Sequence, residues 1–324
     1  MRANGWLAGW LLATLAGCGS SLPGMPRDSA SVAPAAVETG THWANPSEFA
    51  ALRKLGYEFV VVTLDPARPA GWRQTFDAAQ TAGLKLVAGL QPAPFKLRGA
   101  EWTLGPEAEA FLRYAASRAP LVKAIFVYNE PYWVNPFTGA NDTCGALSAA
   151  QLRALRSRLR SVWPEAKIYH DIGGPAEWAP GGSLPSSYPC IGNKYADQTT
   201  VADYVGIWAY PFDTDGYHKS RALAVLRRQI SYVRSGMRAE PVLLGQSFQC
   251  TRCGGGGGTR WPTPNEMREW NCSLRSLGAG IISWYPWRQA LYDDYLARHP
   301  EMWSLTGPAS CQAPASVTDS SHSP

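Results

Sequence analysis

Eight short apolar runs, each followed by a longer stretch, recur from residue 35 almost to the C-terminus, and this alternation restricts the fold more than any other feature of the chain. The strand-like runs cover 35–42, 58–64, 84–90, 122–128, 166–172, 203–210, 241–247 and 280–285. Stretches with helical spacing cover 46–55, 70–82, 106–118, 148–162, 217–235, 263–277 and 288–297, while 173–200 is too rich in Gly, Pro and Ser to define a helix. Helix starts carry their usual signals: Asn45-Pro46 and Thr263-Pro264-Asn265-Glu266 each place a capping residue before a first-turn proline. Strands that are apolar almost throughout are buried on both faces, as in a parallel sheet covered by helices. Eight such units fit an α/β closed (β/α)8 TIM barrel better than an open doubly wound sheet. No glycine-rich phosphate loop follows the first run, which counts against dinucleotide binding. The GGGGG run at 254–258 lies after the seventh strand and reads as a mobile flap.

The N-terminus does not belong to this pattern. Arg2 precedes an apolar run from Trp6 to Ala16, too short for a comfortable membrane span and typical of a secretory signal. Leu15-Ala16-Gly17-Cys18 closes that run and resembles the lipobox of bacterial lipoproteins. The resemblance implies cleavage before Cys18, lipidation of that cysteine, and an exported protein held on a membrane, at the outer membrane or cell surface. The expected organisation is a signal peptide at 1–17, a flexible linker at 18–34, the barrel at 35–305, and a largely disordered tail at 306–324.

Composition narrows the partners. The net charge of +5 comes from scattered Lys and Arg without a basic stripe, so nucleic acid is not an expected partner. Six cysteines remain besides Cys18, an even number in an exported chain, and they point to disulfides. Cys144 and Cys190 fall in neighbouring long loops and form the favoured pair. One bond is expected among Cys250, Cys253 and Cys272, with Cys311 tying the C-terminal segment to the barrel. The Cys250-Thr-Arg-Cys253 spacing lacks the second pair or nearby His of a zinc site, and the five His are dispersed, so no metal or other cofactor is expected. A monomer is expected. The 14 Trp are unusual; most serve as core, but an excess also lines grooves that stack on flat ligands such as sugar rings. Trp43, Trp72, Trp102, Trp178, Trp208, Trp261 and Trp287 are the candidates around the mouth.

In a TIM barrel the chemistry lies at the C-terminal strand ends. Those positions here are His42, Asp65, Gln91, Asn129 and Glu130, Asp171, Tyr210, Gln246 and Trp284. The set resembles clan A of the glycoside hydrolases across about 35–305. In that clan the fourth strand ends in Asn-Glu, often followed by Pro, as in Asn129-Glu130-Pro131. The resemblance implies that Glu130 is the general acid/base and that Asn129 bonds the sugar 2-hydroxyl. It also implies a supporting Tyr210 on strand six and a sugar-platform Trp284 on strand eight; Trp133, Trp208 and His42, read from their positions alone, are further candidate carbohydrate contacts. A proton donor to a glycosidic oxygen needs a raised pKa, which aromatic neighbours such as Tyr128, Tyr132 and Trp133 would favour. The structural alternative for Glu130 is a helix-capping or ion-paired carboxylate.

One position departs from the clan. Its nucleophile is a Glu ending strand seven, where this chain has Gln246. A neutral amide cannot replace an ionised carboxylate in double displacement. Three routes stay open. Asp171, Asp65, Asp213 or Asp215 can act as a base on water, giving inversion. An acetamido sugar can supply its own nucleophile, with Gln246 orienting it. Or the barrel binds glycan without cleaving it.

Overall fold

In a computed structural model the structure describes residues 36–90, 95–98, 101–129, 147–171, 200–251, 258–289 and 292–311. In chain order the strands are β1 (Glu38–His42), β2 (Phe59–Leu64), β3 (Lys85–Leu90), β4 (Phe95–Arg98), β5 (Glu101–Leu104), β6 (Val122–Asn129), β7 (Ile168–Asp171), β8 (Tyr204–Ile207), β9 (Phe212–Asp213), β10 (Gly216–Tyr217), β11 (Glu240–Gln246), β12 (Phe248–Gln249), β13 (Ile281–Tyr285) and β14 (Asp294–Tyr295). The strands β1, β2, β3, β6, β7, β8, β11 and β13 form a closed parallel barrel, with β13 pairing back to β1. The remaining strands form antiparallel pairs β4–β5, β9–β10 and β12–β14.

Alternation along the strands separates two cores. Val60, Val62, Leu86, Ala88, Ile125, Val205, Ile207, Leu243 and Ile282 point outward into the layer shared with the helices. Phe59, Val61, Val87, Phe126, Tyr169, Val242, Leu244 and Ile281 fill the barrel interior. Burial on both faces is why the strands carry so few polar residues. Near the N-terminal end, Lys123 bonds Glu38 at 2.6 Å and lies over the rings of Phe59 and Tyr204, helping to fill that end.

The covering helices run over Phe49–Lys54, Pro69–Ala82, Pro106–Ser117, Ala149–Val162, Lys219–Tyr232, Pro264–Arg275 and Pro300–Thr306. Reciprocal capping boxes fix two starts, Ser148 with Gln151 and Thr263 with Glu266. Gly83, at φ 69°, ends the helix Pro69–Ala82 in the left-handed conformation that glycine tolerates best. Among the described residues no helix is long and apolar enough to cross a membrane.

Two expectations are corrected. Among the described residues of 288–297 there is no α-helix; Asp294 and Tyr295 pair with β12, Leu296–Arg298 form a 3-10 turn, and the next α-helix opens at Pro300. Edge pairing and burial of Tyr295 override the local helical spacing. The β4–β5 hairpin was not anticipated. Residues 306–311, expected in the tail, pack on the barrel: the Thr306 hydroxyl bonds the buried Tyr57 hydroxyl at 2.6 Å, and Asn271 donates to the carbonyls of Leu305 and Gly307. Cys272–Cys311 fastens this segment, as expected of Cys311, and Cys250 is also disulfide-bonded. Cys18, Cys144, Cys190, the greater part of the glycine run and residues 312–324 lie outside the described residues.

Candidate functional site

The C-terminal end of the barrel has a polar floor and an aromatic wall. The floor is built by β1, β7, β8 and β13. The hydroxyl of Tyr169 donates to Asp171 Oδ1. His42 Nε2 lies 3.6 Å from Asp171 Oδ2 and 3.5 Å from the Tyr169 hydroxyl, while Ser283 Oγ meets His42 Nδ1 at 2.9 Å. The His42 tautomer sets which of Ser283 Oγ and Nδ1 donates. His42, Asp171 and Ser283 are all buried. Asp171 Oδ2 has no hydrogen-bond donor among the described residues.

Gly206 makes room for this arrangement. A Cβ there would lie 1.9 Å from Asp171 Oδ1 and 2.6 Å from the Tyr169 hydroxyl. Burial, then the charge of Asp171 and the bond to it, hold the Tyr169 phenol well above its ordinary range, so it stays a donor. The next residue along β7, His170, is also buried, and burial drives its pKa down to about 4 against the opposing charge of Asp171.

The wall comes from residues at or beyond four strand ends. Trp208 and Tyr210 stack with centroids 6.0 Å apart, and Tyr210 meets Phe248 edge-on at 5.0 Å. Phe248 stacks on Tyr292 at 4.2 Å, and Tyr285 lies 5.0 Å from Trp43 and 5.2 Å from His42. Trp43 holds φ at 64°, an uncommon conformation for a bulky residue, directly after His42. These rings are continuous with the barrel-interior core.

Gln246 is fully buried by neighbouring backbone. Its Oε1 accepts from the Phe212 N–H at 3.1 Å, and its Nε2 donates to the carbonyls of Phe212 and Phe248, both at 3.4 Å. An amide can accept and donate in this way; an ionised carboxylate would face two carbonyl oxygens. At strand seven, then, the amide clamps the segment after β8.

Trp284 is corrected. It is fully buried on the outer face, its Nε1 donates to the Thr306 carbonyl at 2.9 Å, and its ring fills the space left by Gly245. Parity decides this: Ser283 and Tyr285 point inward, so Trp284 points out. The strand-eight ring at the mouth is Tyr285.

Other candidates divide similarly. Trp72 packs on Phe111, Trp287 lies between Tyr57 and Trp303, and Trp261 stacks on His299. Asp65 caps its own turn through the Ala67 N–H and pairs with exposed Arg68. Asp213 and Asp215 sit with His218 on the β9–β10 turn, which is the one cluster of metal-ligand type found among the described residues. The Asn129 backbone is in register with Asp171, which puts the ends of β6 and β7 side by side. Glu130, Trp133, Trp178 and Gln91 lie outside the described residues. Tyr169, Ser283, Phe248, Tyr285 and Tyr292 escaped notice in the sequence; strict alternation back from the strand ends identifies the first two and Tyr285.

The sequence matches no protein-family model and no curated protein. Similar solved structures include the Ignisphaera aggregans GH53 catalytic domain, at 12% identity over 81% of this chain and 88% of that one, TM-score 0.46. The Bacillus cereus spore cortex-lytic enzyme SleL is 10% identical over 86% of this chain and 75% of that one, TM-score 0.49. The Bacteroides thetaiotaomicron GH99 endo-alpha-mannosidase is 11% identical over 82% and 78%, TM-score 0.47.

Proposed function

We propose that this chain is an exported, lipid-anchored glycoside hydrolase-like protein that acts on a polysaccharide or oligosaccharide. The observation that carries the reading is the arc of Trp43, Tyr285, Phe248, Tyr210 and Trp208 around a floor of His42 and Asp171. Flat rings beside a few convergent polar groups suit sugars, whose faces are apolar and whose edges carry hydroxyls. Glu130 is the proton donor to the leaving oxygen, Asn129 positions the sugar, and Cys18 carries the lipid.

A second reading, a glycan-binding protein without catalysis, is favoured by one observation: Gln246 is engaged with backbone and supplies no nucleophile. One experiment separates the two. The domain from residue 35 onward is incubated with β-glucans, galactans, mannans and acetamido glycans, and sugar release and binding are both measured. Hydrolysis abolished by Glu130→Gln supports the enzyme. Binding lost in Tyr285→Ala without hydrolysis by the unmodified domain supports the binding protein. Neither hydrolysis nor binding on the whole panel refutes both.

A further inference from the structure

We infer that Asp171 is the water-activating base of this site, and that hydrolysis therefore inverts the anomeric centre. The inference rests on the proposed glycosidase reading and on Glu130 as its proton donor.

Strand seven contributes no carboxylate, because Gln246 occupies the position and its amide is bonded to Phe212 and Phe248. Asp65 caps its own turn, and Asp213 and Asp215 cluster with His218 on the β9–β10 turn. Asp293 holds the N–H and hydroxyl of Thr251, and Asp294 holds His299. Among the described residues this leaves Asp171 as the carboxylate inside the barrel mouth.

Its surroundings suit a base. One oxygen, Oδ1, is fixed by the Tyr169 hydroxyl, which orients the carboxylate. The other, Oδ2, is buried and has no hydrogen-bond donor among the described residues. A buried carboxylate oxygen without a donor is costly, so a site that keeps one has a use for it. His42, held by Ser283, stands 3.6 Å from that oxygen. Gly206 leaves the space that the Tyr169–Asp171 pair fills. The register between Asp171 and Asn129 puts this carboxylate on the strand beside the one leading to Glu130.

The step balances with water as the only co-reactant. Asp171 Oδ2 takes a proton from water while the water oxygen bonds the anomeric carbon. The glycosidic C–O bond breaks, its electron pair stays on the leaving oxygen, and that oxygen receives the proton of Glu130. Exchange of one proton with solvent restores both groups. No group is oxidised or reduced.

The test uses the domain from residue 35 onward and whichever panel glycan it hydrolyses. The first-formed product anomer is read by proton NMR and is expected to be inverted. Asp171→Asn is expected to lower kcat by about 10²- to 10⁴-fold. Asp171→Ala, given sodium azide and the matching glycosyl fluoride, is expected to form the inverted glycosyl azide. Azide turnover requires a folded site, so it separates lost chemistry from lost structure. A retained anomer, or Asp171→Asn within about threefold of the unmodified enzyme, overturns this inference and leaves the role of Glu130 intact. No hydrolysis by the unmodified domain overturns the glycosidase reading and this inference together.

Discussion

Changing Gln246 to Glu tests whether the amide at strand seven is structural. The side chain is fully buried; its oxygen accepts from Phe212 N–H at 3.1 Å and its nitrogen donates to two carbonyls at 3.4 Å. A protonated Glu keeps the acceptor and can donate to one carbonyl, so the loss is one weak hydrogen bond, about 1 kcal/mol. An ionised Glu donates to neither and sets a charge against two carbonyl dipoles. Burial and those dipoles should raise its pKa by roughly 2–3 units above the ordinary value near 4.3. A carboxyl raised on folding binds more protons folded than unfolded, so stability falls as pH rises from about 4.3 to the folded pKa. The added loss by pH 7.5 is about 3–4 kcal/mol at about 1.4 kcal/mol per unit, for a total of about 4–5 kcal/mol. Urea unfolding of both proteins at pH 4 and pH 7.5 measures this. Midpoints that differ equally at the two pH values, or not at all, refute the clamp. So does new retaining hydrolysis by Gln246→Glu, because it requires the carboxylate to leave Phe212 for the substrate.

Gly206→Ala should displace the Tyr169–Asp171 pair, since its methyl would sit 1.9 Å from Asp171 Oδ1, and overpacking of this kind costs about 1–3 kcal/mol; glycan hydrolysis should fall with the unfolding midpoint, and unchanged turnover would contradict it. Replacing both Cys272 and Cys311 by Ser opens a link spanning 39 residues, which chain entropy values at roughly 4 kcal/mol, measurable by urea unfolding. The Arg260 guanidinium, helped by Thr263 and opposed by partial burial, holds Glu266 down to about 2. A depressed folded pKa gives stability that is present above about pH 4.3 and lost as pH falls towards 2. Glu266→Gln should therefore flatten the acid side of a plot of unfolding midpoint against pH.

The barrel was legible because eight apolar runs have no other economical burial, and strand positions follow from that alone. All eight expected strands fall on barrel strands, with ends shifted by at most a few residues. The capping signal at Thr263 acts within one turn, so that helix start was also readable. The stretch 288–297 misled because its spacing is helical while its fate is set by pairing with β12, more than forty residues earlier in the chain.

The candidate site divides along the same line. Sequence alone places His42, Asp171 and Gln246 at the ends of their strands, because chain order determines which residue ends which strand, while Tyr210 lies past Ile207, the last residue of β8. What each side chain does there depends on parity and neighbours. Trp284 and Tyr285 are adjacent and both aromatic, yet one fills the outer core and the other faces the mouth, because successive residues on a strand point to opposite faces. Gln246 resembles a disabled nucleophile until the Phe212 backbone is seen against it. Asp171 meets His42 across a distance of 129 residues in the chain only because the barrel closes. Strand order is a local, cumulative property of the sequence, whereas these contacts come from closure of the sheet.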